Sequence, residues 1–244
     1  MTLIRIVGLM RSGTNLLTWM LRHNFAAVST ATMLLGWKHG PIVRDRQALS
    51  IDDYVDPRYR GELHRFVGDH PEEWARVTSS SLYRHAAEQH RAQSFGVALA
   101  VRDPGLWYAS CRRIHQQVPA FLLHGTSPAE ASAFWNASHR DWLEKLGERS
   151  VIVDTDALRK DSGPVLDRIA GCLGIQRTSP VREPQGYLHP RGMEEIYELL
   201  GAPVSREMER DLTTPAHVDP QLDAEFKALL DRDLLERLGL AQKA

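Results

Sequence analysis

An apolar run in the sequence leads directly into a glycine-containing loop. The run "LIRIVGL" (3–9) is short and apolar, so it predicts a buried strand. The loop "GLMRSGTN" (8–15) follows with Gly8 and Gly13 five positions apart, and "LLTWMLRHNF" (16–25) then has helical spacing. A glycine loop between a strand and a helix directs backbone N–H groups and a helix N-terminus at one spot. This order predicts a site for a phosphate-bearing molecule; the alternative is a tight turn that binds nothing.

The loop departs from the ATP-binding pattern at two positions. In that pattern a lysine reaches the outer phosphates and the next hydroxyl residue ligates Mg²⁺. Here Thr14 and Asn15 occupy those places, so metal-assisted phosphoryl transfer loses two of its working parts. Arg11 still brings a cation to the loop, and Ser12 adds a further side-chain donor. The loop therefore retains groups that can hold phosphate but lacks two that metal-assisted phosphoryl transfer uses.

Strand-like and helix-like segments alternate along the chain. Such alternation predicts an α/β fold, in which a parallel sheet carries helices on both faces. A capping box from Ser127 to Glu130 opens one helix, and another helical pattern begins at Asp219 and is expected to bury Leu229. Besides 3–9, the predicted strands are 32–37, 95–101 and 151–155.

Composition narrows the class of protein. The chain has 244 residues, enough for one large domain, and we expect a single domain over 1–244. Lys+Arg number 30 against 31 Asp+Glu, which argues against a nucleic-acid binder driven by overall charge. No apolar stretch reaches the roughly 18 residues that a membrane span needs, and the start does not resemble a signal peptide. We therefore expect a cytoplasmic protein. We also expect its two cysteines, Cys111 and Cys172, to be free, buried thiols.

One segment fits the strand–helix alternation poorly. Residues 41–94 are charged, rich in histidine and arginine, and only weakly helical in pattern. A connection of this length is usually functional, so we interpret it as a helical insertion that serves as a lid or substrate-binding element. The alternative is one or two solvated helices on the sheet edge.

A second informative segment is "VALAVRDPGLWYASCRR" (97–113). Its strand ends at Arg102, and a helix carrying Ser110 follows. Ligands of parallel α/β sheets collect at the carboxyl ends of the strands. Arg102 is therefore predicted to emerge beside the glycine loop if the first and third predicted strands are neighbours, with Ser110 facing the same anion. Alternatively, Arg102 pairs with Asp103 or another nearby acid, and Ser110 is an ordinary helix residue.

Taken together, these motifs resemble those of the sulfotransferases that use 3′-phosphoadenosine 5′-phosphosulfate. The resemblance covers roughly 3–25, 97–113 and 150–175, and it implies a three-layer α/β/α fold related to the P-loop NTPases, with no metal. In that family the first loop holds the 5′-phosphosulfate, and the arginine and serine of the second motif hold the 3′-phosphate. By this resemblance, the 5′-phosphosulfate is assigned to Arg11, Ser12, Gly13, Thr14 and Asn15, and the 3′-phosphate to Arg102 and Ser110.

Two later segments extend the resemblance with departures. Residues 150–175 are similar to a strand, acidic turn and helix of the family, although Thr155 and Asp156 replace its usual tyrosine–glutamate pair. Arg191 and Gly192 match a basic-glycine element that closes over the 3′-phosphate.

The expected general base is His39, in "LLGWKHGP" at the end of the second predicted strand. Family members have lysine, one spacer and histidine here, and the lysine contacts the sulfate, whereas Lys38 and His39 are adjacent in this chain. Neighbouring strand residues point to opposite faces, so both can face one sulfate only if the strand has already ended. Alternatives are a histidine without chemistry at the strand edge, or a base from the insertion, namely His64, His70, His85 or His90.

The predicted function is sulfuryl transfer to a hydroxyl of a small molecule, saccharide or tyrosyl peptide. The adenine contact stays open among Trp19, Trp107 and Tyr108. One alternative is a nucleotide-dependent kinase in which Asp103 serves as the acid for Mg²⁺. Another is a non-catalytic nucleotide-binding protein.

Overall fold

The protein's structure is a computed structural model that describes residues 2–31, 39, 94–117, 127–184 and 219–243. Within these ranges four strands form one sheet in the order β2-β1-β3-β4, and all neighbouring pairs are parallel. The predicted α/β class and parallel sheet are confirmed. The strands are β1 Thr2–Val7, β2 Val28–Ala31, β3 Ser94–Val101 and β4 Ser150–Asp154.

The described helices follow the strands in the order that the sequence pattern predicts. Their bounds are α1 Thr14–Asn24, α2 Pro104–Gln117, α3 Pro128–Lys145, α4 Thr155–Lys160, α5 Ser162–Leu173, α6 Pro220–Ala228 and α7 Arg232–Arg237, with a final 3₁₀ turn over Ala241–Lys243. None of these helices combines the length and the apolar character that crossing a membrane requires.

Three of the four predicted strands coincide with observed ones. The fourth, 32–37, lies outside the described residues, and β2 comes immediately before it. β2 was not predicted because its sequence, VSTA, is short and half polar. Its pairing with β1, from Thr2 opposite Val28 to Arg5 opposite Ala31, supplies the backbone partners that such a strand needs.

Two apolar clusters cover the two faces of the sheet, as a layered α/β/α arrangement requires. On one face Ile4 and Ile6 pack with the buried side of α1 and α5, including Leu17 and Ile169. On the other face Val7 and the alternate residues of β3 pack with α2, α3, α6 and α7. The side-chain alternation of the strands therefore produces a core on each side.

The C-terminal segment differs from the single helix that its pattern predicts. Asp231 caps a second helix, α7, by accepting from the N–H groups of Asp233 and Leu234, so α6 ends at Ala228. Leu229 lies in the turn between them and is 50% exposed, which corrects its predicted burial. Its neighbours Phe226 and Leu230 are buried.

The two cysteines also differ from each other. Both are free thiols; Cys111 is buried, and burial raises its pKa to about 12. Cys172 is exposed on α5, so its predicted burial is wrong.

Candidate functional site

The carboxyl ends of β1 and β3 lie side by side. The two strands pair in parallel from Thr2 opposite Ser94 to Val7 opposite Leu99. The glycine loop leaves β1 at this edge, and Arg102 leaves β3 at the same edge. The neighbour relation on which the predicted site depended is therefore present, at the edge where α/β proteins bind ligands.

Glycine is required at both positions of the loop because neighbouring atoms lie too close for a side chain. A Cβ on Gly8 would lie 2.6 Å from the Ala100 carbonyl oxygen, and one on Gly13 would lie 2.7 Å from Thr155 Oγ1. Gly13 also has φ 84°, in the left-handed region that favours glycine. Arg11 adopts φ 68° in the same loop, a conformation that costs a non-glycine residue about 1 kcal/mol. The surrounding contacts hold this loop in one shape.

Ser12 stabilises the loop from within. Its side chain is buried, and its hydroxyl donates to the Leu9 carbonyl at 2.6 Å. The hydroxyl proton is thus used inside the loop. Gly13 is the N-cap of α1 and offers no side-chain cap, and Thr14 and Asn15 form the first turn of that helix. The positive end of α1 therefore lies at the loop.

Arg11, Ser110 and Arg102 lie together at the strand ends. Arg11 Nε donates to Ser110 Oγ at 3.0 Å, and Arg102 Nη1 donates to the Arg11 carbonyl oxygen at 3.3 Å. The resemblance assigns Arg11 to one phosphate end and Ser110 to the other. Because a hydrogen bond joins the two side chains, the two predicted subsites are contiguous.

Arg102 is also paired with an acid. Its Nε lies 3.3 Å from Asp156 Oδ1, with 13% of the arginine side chain and 23% of the aspartate side chain exposed. Pairing with an acid was the alternative interpretation, but the partner is Asp156 of α4 rather than Asp103. The contacts with Arg11 and Asp156 exist together, so pairing does not remove Arg102 from the cluster.

Asp103 has a structural contact of its own. Its Oδ1 accepts from the Leu106 N–H at 3.0 Å, which is the geometry of an N-cap for α2, with Pro104 as the first helical residue. One carboxylate oxygen is therefore used in starting the helix that carries Ser110. In the described part of the chain, no group of three or more His, Cys, Asp and Glu side chains is arranged to hold a metal ion.

Thr155 and Asp156 organise the site, although the sequence identified them only as departures from a family pattern. Thr155 is buried, and its Oγ1 lies 2.8 Å from the Ser12 carbonyl oxygen and 3.0 Å from that of Val101. It therefore ties the glycine loop to the end of β3. Asp156 Oδ2 accepts from the Asp103 N–H at 2.9 Å. Their position just after β4, at the ligand edge of the sheet, is the sequence signal that indicates such a role.

His39 lies on the glycine loop. Its Nδ1 is 2.6 Å from the Gly8 carbonyl oxygen. A carbonyl oxygen only accepts, so Nδ1 carries a proton, and in the neutral ring the lone pair is then on Nε2. A neutral histidine in this tautomer has the form that a general base needs.

Several predicted elements lie outside the described residues. These are Lys38, Arg191, Gly192, His64, His70, His85, His90 and, apart from Ser94, the insertion at 41–94.

Two of the candidate adenine contacts belong to the core instead. Trp107 and Tyr108 are 1% and 2% exposed, and Trp107 Nε1 donates to the Met10 carbonyl at 2.8 Å. Tyr108 stacks on Phe226, with ring centroids 4.6 Å apart, and burial raises the pKa of its phenol. Trp19, the third candidate, stacks on His23 at 4.1 Å. The helical periodicity of α2 did not reveal that Trp107 and Tyr108 are buried, because α6, which covers them, comes from a distant part of the chain.

Comparison of the chain with models of known protein families and with curated protein sequences finds no match. The functional assignment therefore depends on the residues described above and on their geometry.

Proposed function

We propose that this protein is a sulfotransferase that moves a sulfuryl group from 3′-phosphoadenosine 5′-phosphosulfate to an acceptor hydroxyl. The observation that carries the proposal is the cluster of Arg11, Ser110 and Arg102 where the glycine loop and the end of β3 meet. The family that the chain resembles uses these positions to hold the two phosphate ends of one nucleotide. Two guanidinium groups at one sheet edge suit a ligand with two separated anionic groups.

In this proposal the two ends of the donor contact different parts of the cluster. The loop N–H groups and the start of α1 hold the 5′ end, and Arg102 and Ser110 hold the 3′-phosphate. Ser110 Oγ accepts from Arg11, so the Ser110 hydroxyl keeps its own proton to donate to phosphate. The fold would then be the sulfotransferase form of the P-loop architecture.

His39 supplies the base. The donor provides an activated sulfuryl group, and His39 Nε2 accepts the proton of the acceptor hydroxyl as its oxygen attacks the sulfur. The bond from sulfur to the bridging phosphate oxygen breaks, and Arg11 with the loop donors stabilises the charge that develops on that phosphate. The hydrogen bond from His39 Nδ1 to Gly8 couples the base to the loop that holds the reacting group. The lysine and hydroxyl of an ATP-binding loop have no part in this chemistry, so Thr14 and Asn15 are compatible with it.

Calorimetry with adenosine 3′,5′-bisphosphate and with ATP, each with and without Mg²⁺, tests the proposal. We expect the bisphosphate to bind more tightly than ATP and independently of Mg²⁺. Tighter binding of ATP with Mg²⁺ would instead support a kinase. If the bisphosphate binds but a labelled sulfate donor transfers nothing to a broad panel of hydroxyl acceptors, the protein is a nucleotide-binding protein without this activity.

A further inference from the structure

The Asp156 carboxylate joins the Arg102 side chain to the backbone that follows it. Oδ1 is paired with Arg102 Nε at 3.3 Å, while Oδ2 accepts from the Asp103 N–H at 2.9 Å. Arg102 Nη1 also donates to the Arg11 carbonyl oxygen at 3.3 Å. The guanidinium is thus held at Nε and at Nη1 by two different elements, α4 and the glycine loop.

Such double fixation leaves a defined part of the guanidinium for a ligand. An arginine has five N–H donors in a planar fork, and the two contacts above use one on Nε and one on Nη1. The second N–H of Nη1 and both of Nη2 remain to donate to an anion. An arginine already held in one rotamer loses less side-chain entropy when it binds.

Asp156 is itself rigidly placed. Asp154 Oδ1 accepts from the N–H groups of Asp156 and Ala157, at 3.0 and 3.2 Å, and so caps α4. Thr155, between the two acids, is tied to the loop and to β3 through Oγ1. Asp154 Oδ2 also pairs with Lys243 Nζ at 2.6 Å, which fixes this turn from the C-terminal side.

We propose that Asp156 is the positioning residue of the 3′-phosphate subsite and that it sets the orientation in which Arg102 meets the phosphate. This inference rests on the proposed function. A positioning role and simple electrostatics predict opposite changes in ligand affinity when the carboxylate is removed. A carboxylate beside a phosphate site repels the ligand, so its removal should strengthen binding if charge alone mattered. If positioning dominates, its removal weakens binding.

The test measures the affinity of the full chain for two nucleotides by calorimetry. Adenosine 3′,5′-bisphosphate carries the 3′-phosphate, and adenosine 5′-phosphate lacks it. For Asp156→Asn we expect about a tenfold loss of affinity for the bisphosphate, the size of one charge-assisted hydrogen bond, and no change for the monophosphate. Asp156→Glu keeps the carboxylate and should recover part of the loss.

Asp167→Asn is the control. It removes the same charge from α5, where Asp167 pairs with Arg177 at 3.0 Å rather than with Arg102. We expect its affinity for both nucleotides to stay within about twofold of the natural protein.

The outcomes separate this inference from the proposed function. Unchanged or tighter bisphosphate binding by Asp156→Asn would overturn the positioning role. Equal losses for both nucleotides, or an equal loss in Asp167→Asn, would also overturn it, because they indicate an effect that is not specific to the Arg102 contact. A natural protein that binds neither nucleotide would overturn the proposed function and this inference with it.

Discussion

At the residue scale, Arg102 combines a structural and a proposed binding role. Its side chain is only 13% exposed and contacts Asp156 and the Arg11 carbonyl. Replacement of Arg102 by Ala removes the proposed charge-assisted contact to phosphate, so we expect the affinity for adenosine 3′,5′-bisphosphate to fall more than about tenfold. Calorimetry measures this directly. Arg149→Ala is the control, because Arg149 precedes β4 at the amino ends of the strands, away from the site. It should leave the affinity for the bisphosphate unchanged. Equal affinity of Arg102→Ala and the natural protein would reject the assigned contact.

His39 gives a second prediction at this scale. Its ring is held by the Gly8 carbonyl, so His39→Ala removes the proposed base without removing a phosphate contact. We expect the rate of sulfuryl transfer to fall about a hundredfold, the usual contribution of a positioned base, while affinity for the bisphosphate changes less than about threefold. His23→Ala, at the exposed end of α1, serves as the control and should retain full activity. A fully active His39→Ala protein would mean that another group takes the proton.

At the scale of single elements, helix α3 contains a buried histidine that the sequence analysis did not single out. His139 lies between Trp135 and Trp142, and its Nδ1 donates to the Trp135 carbonyl at 2.8 Å. Burial lowers the pKa of His139 from 6.5 to about 4, and the backbone hydrogen bond offsets this only in part. The folded protein therefore keeps this ring neutral where the unfolded chain would protonate it.

The effect of this histidine on stability has a definite sign. Between about pH 6.5 and pH 4 the unfolded state binds one more proton than the folded state, so stability falls as the pH falls through this window. The shift corresponds to about 3 kcal/mol across the whole window. In urea unfolding at about pH 7.5 and about pH 4.5, the natural protein should lose roughly 2 kcal/mol more than His139→Phe, whose ring cannot titrate. Parallel losses in the two proteins would show that His139 does not contribute to acid sensitivity.

Local sequence patterns marked single helix ends well, but they did not predict where one helix gives way to the next. The predicted helix start at Ser127 is confirmed, since Ser127 Oγ accepts from the Glu130 N–H and donates to the Glu130 carboxylate. Gly174 ends α5 in the left-handed conformation with φ 61°, which is common for a glycine just after a helix. By contrast, the break between α6 and α7 depends on the cap at Asp231. That cap is reinforced by Asn136 of α3, whose Oδ1 accepts from the Asp231 N–H.

At the scale of the whole molecule, the C-terminal helices are part of the core that supports the site. Phe226 is fully buried, stacks on Tyr108 at 4.6 Å and lies 5.9 Å from the ring of Trp107. Both partners belong to α2, the helix that carries Ser110. The last described segment of the chain therefore holds one side of the proposed anion site in place.

Truncation of the Phe226 side chain should lower the stability of the fold. We expect Phe226→Ala to lower the free energy of unfolding by about 3 kcal/mol through lost burial and the cavity it leaves. Leu229→Ala, three residues away and 50% exposed, should change it by less than about 0.5 kcal/mol. Chemical denaturation followed by tryptophan fluorescence compares the two variants. Similar losses for both would contradict the assignment of Phe226 to the core.

Local sequence patterns were enough to predict the alternation of strands and helices, the glycine loop and the emergence of Arg102 from a buried strand. These features depend on periodicity, caps and turn residues, which act between neighbours in the chain. The folded chain was needed to see which acid pairs with Arg102, that Thr155 ties the loop to β3, and that Trp107 and Tyr108 are core residues. Each of these depends on parallel pairing or helix packing between segments dozens of residues apart. The chemical type of a side chain does not specify its distant partner, because the partner depends on the order of the strands in the sheet and on helix packing.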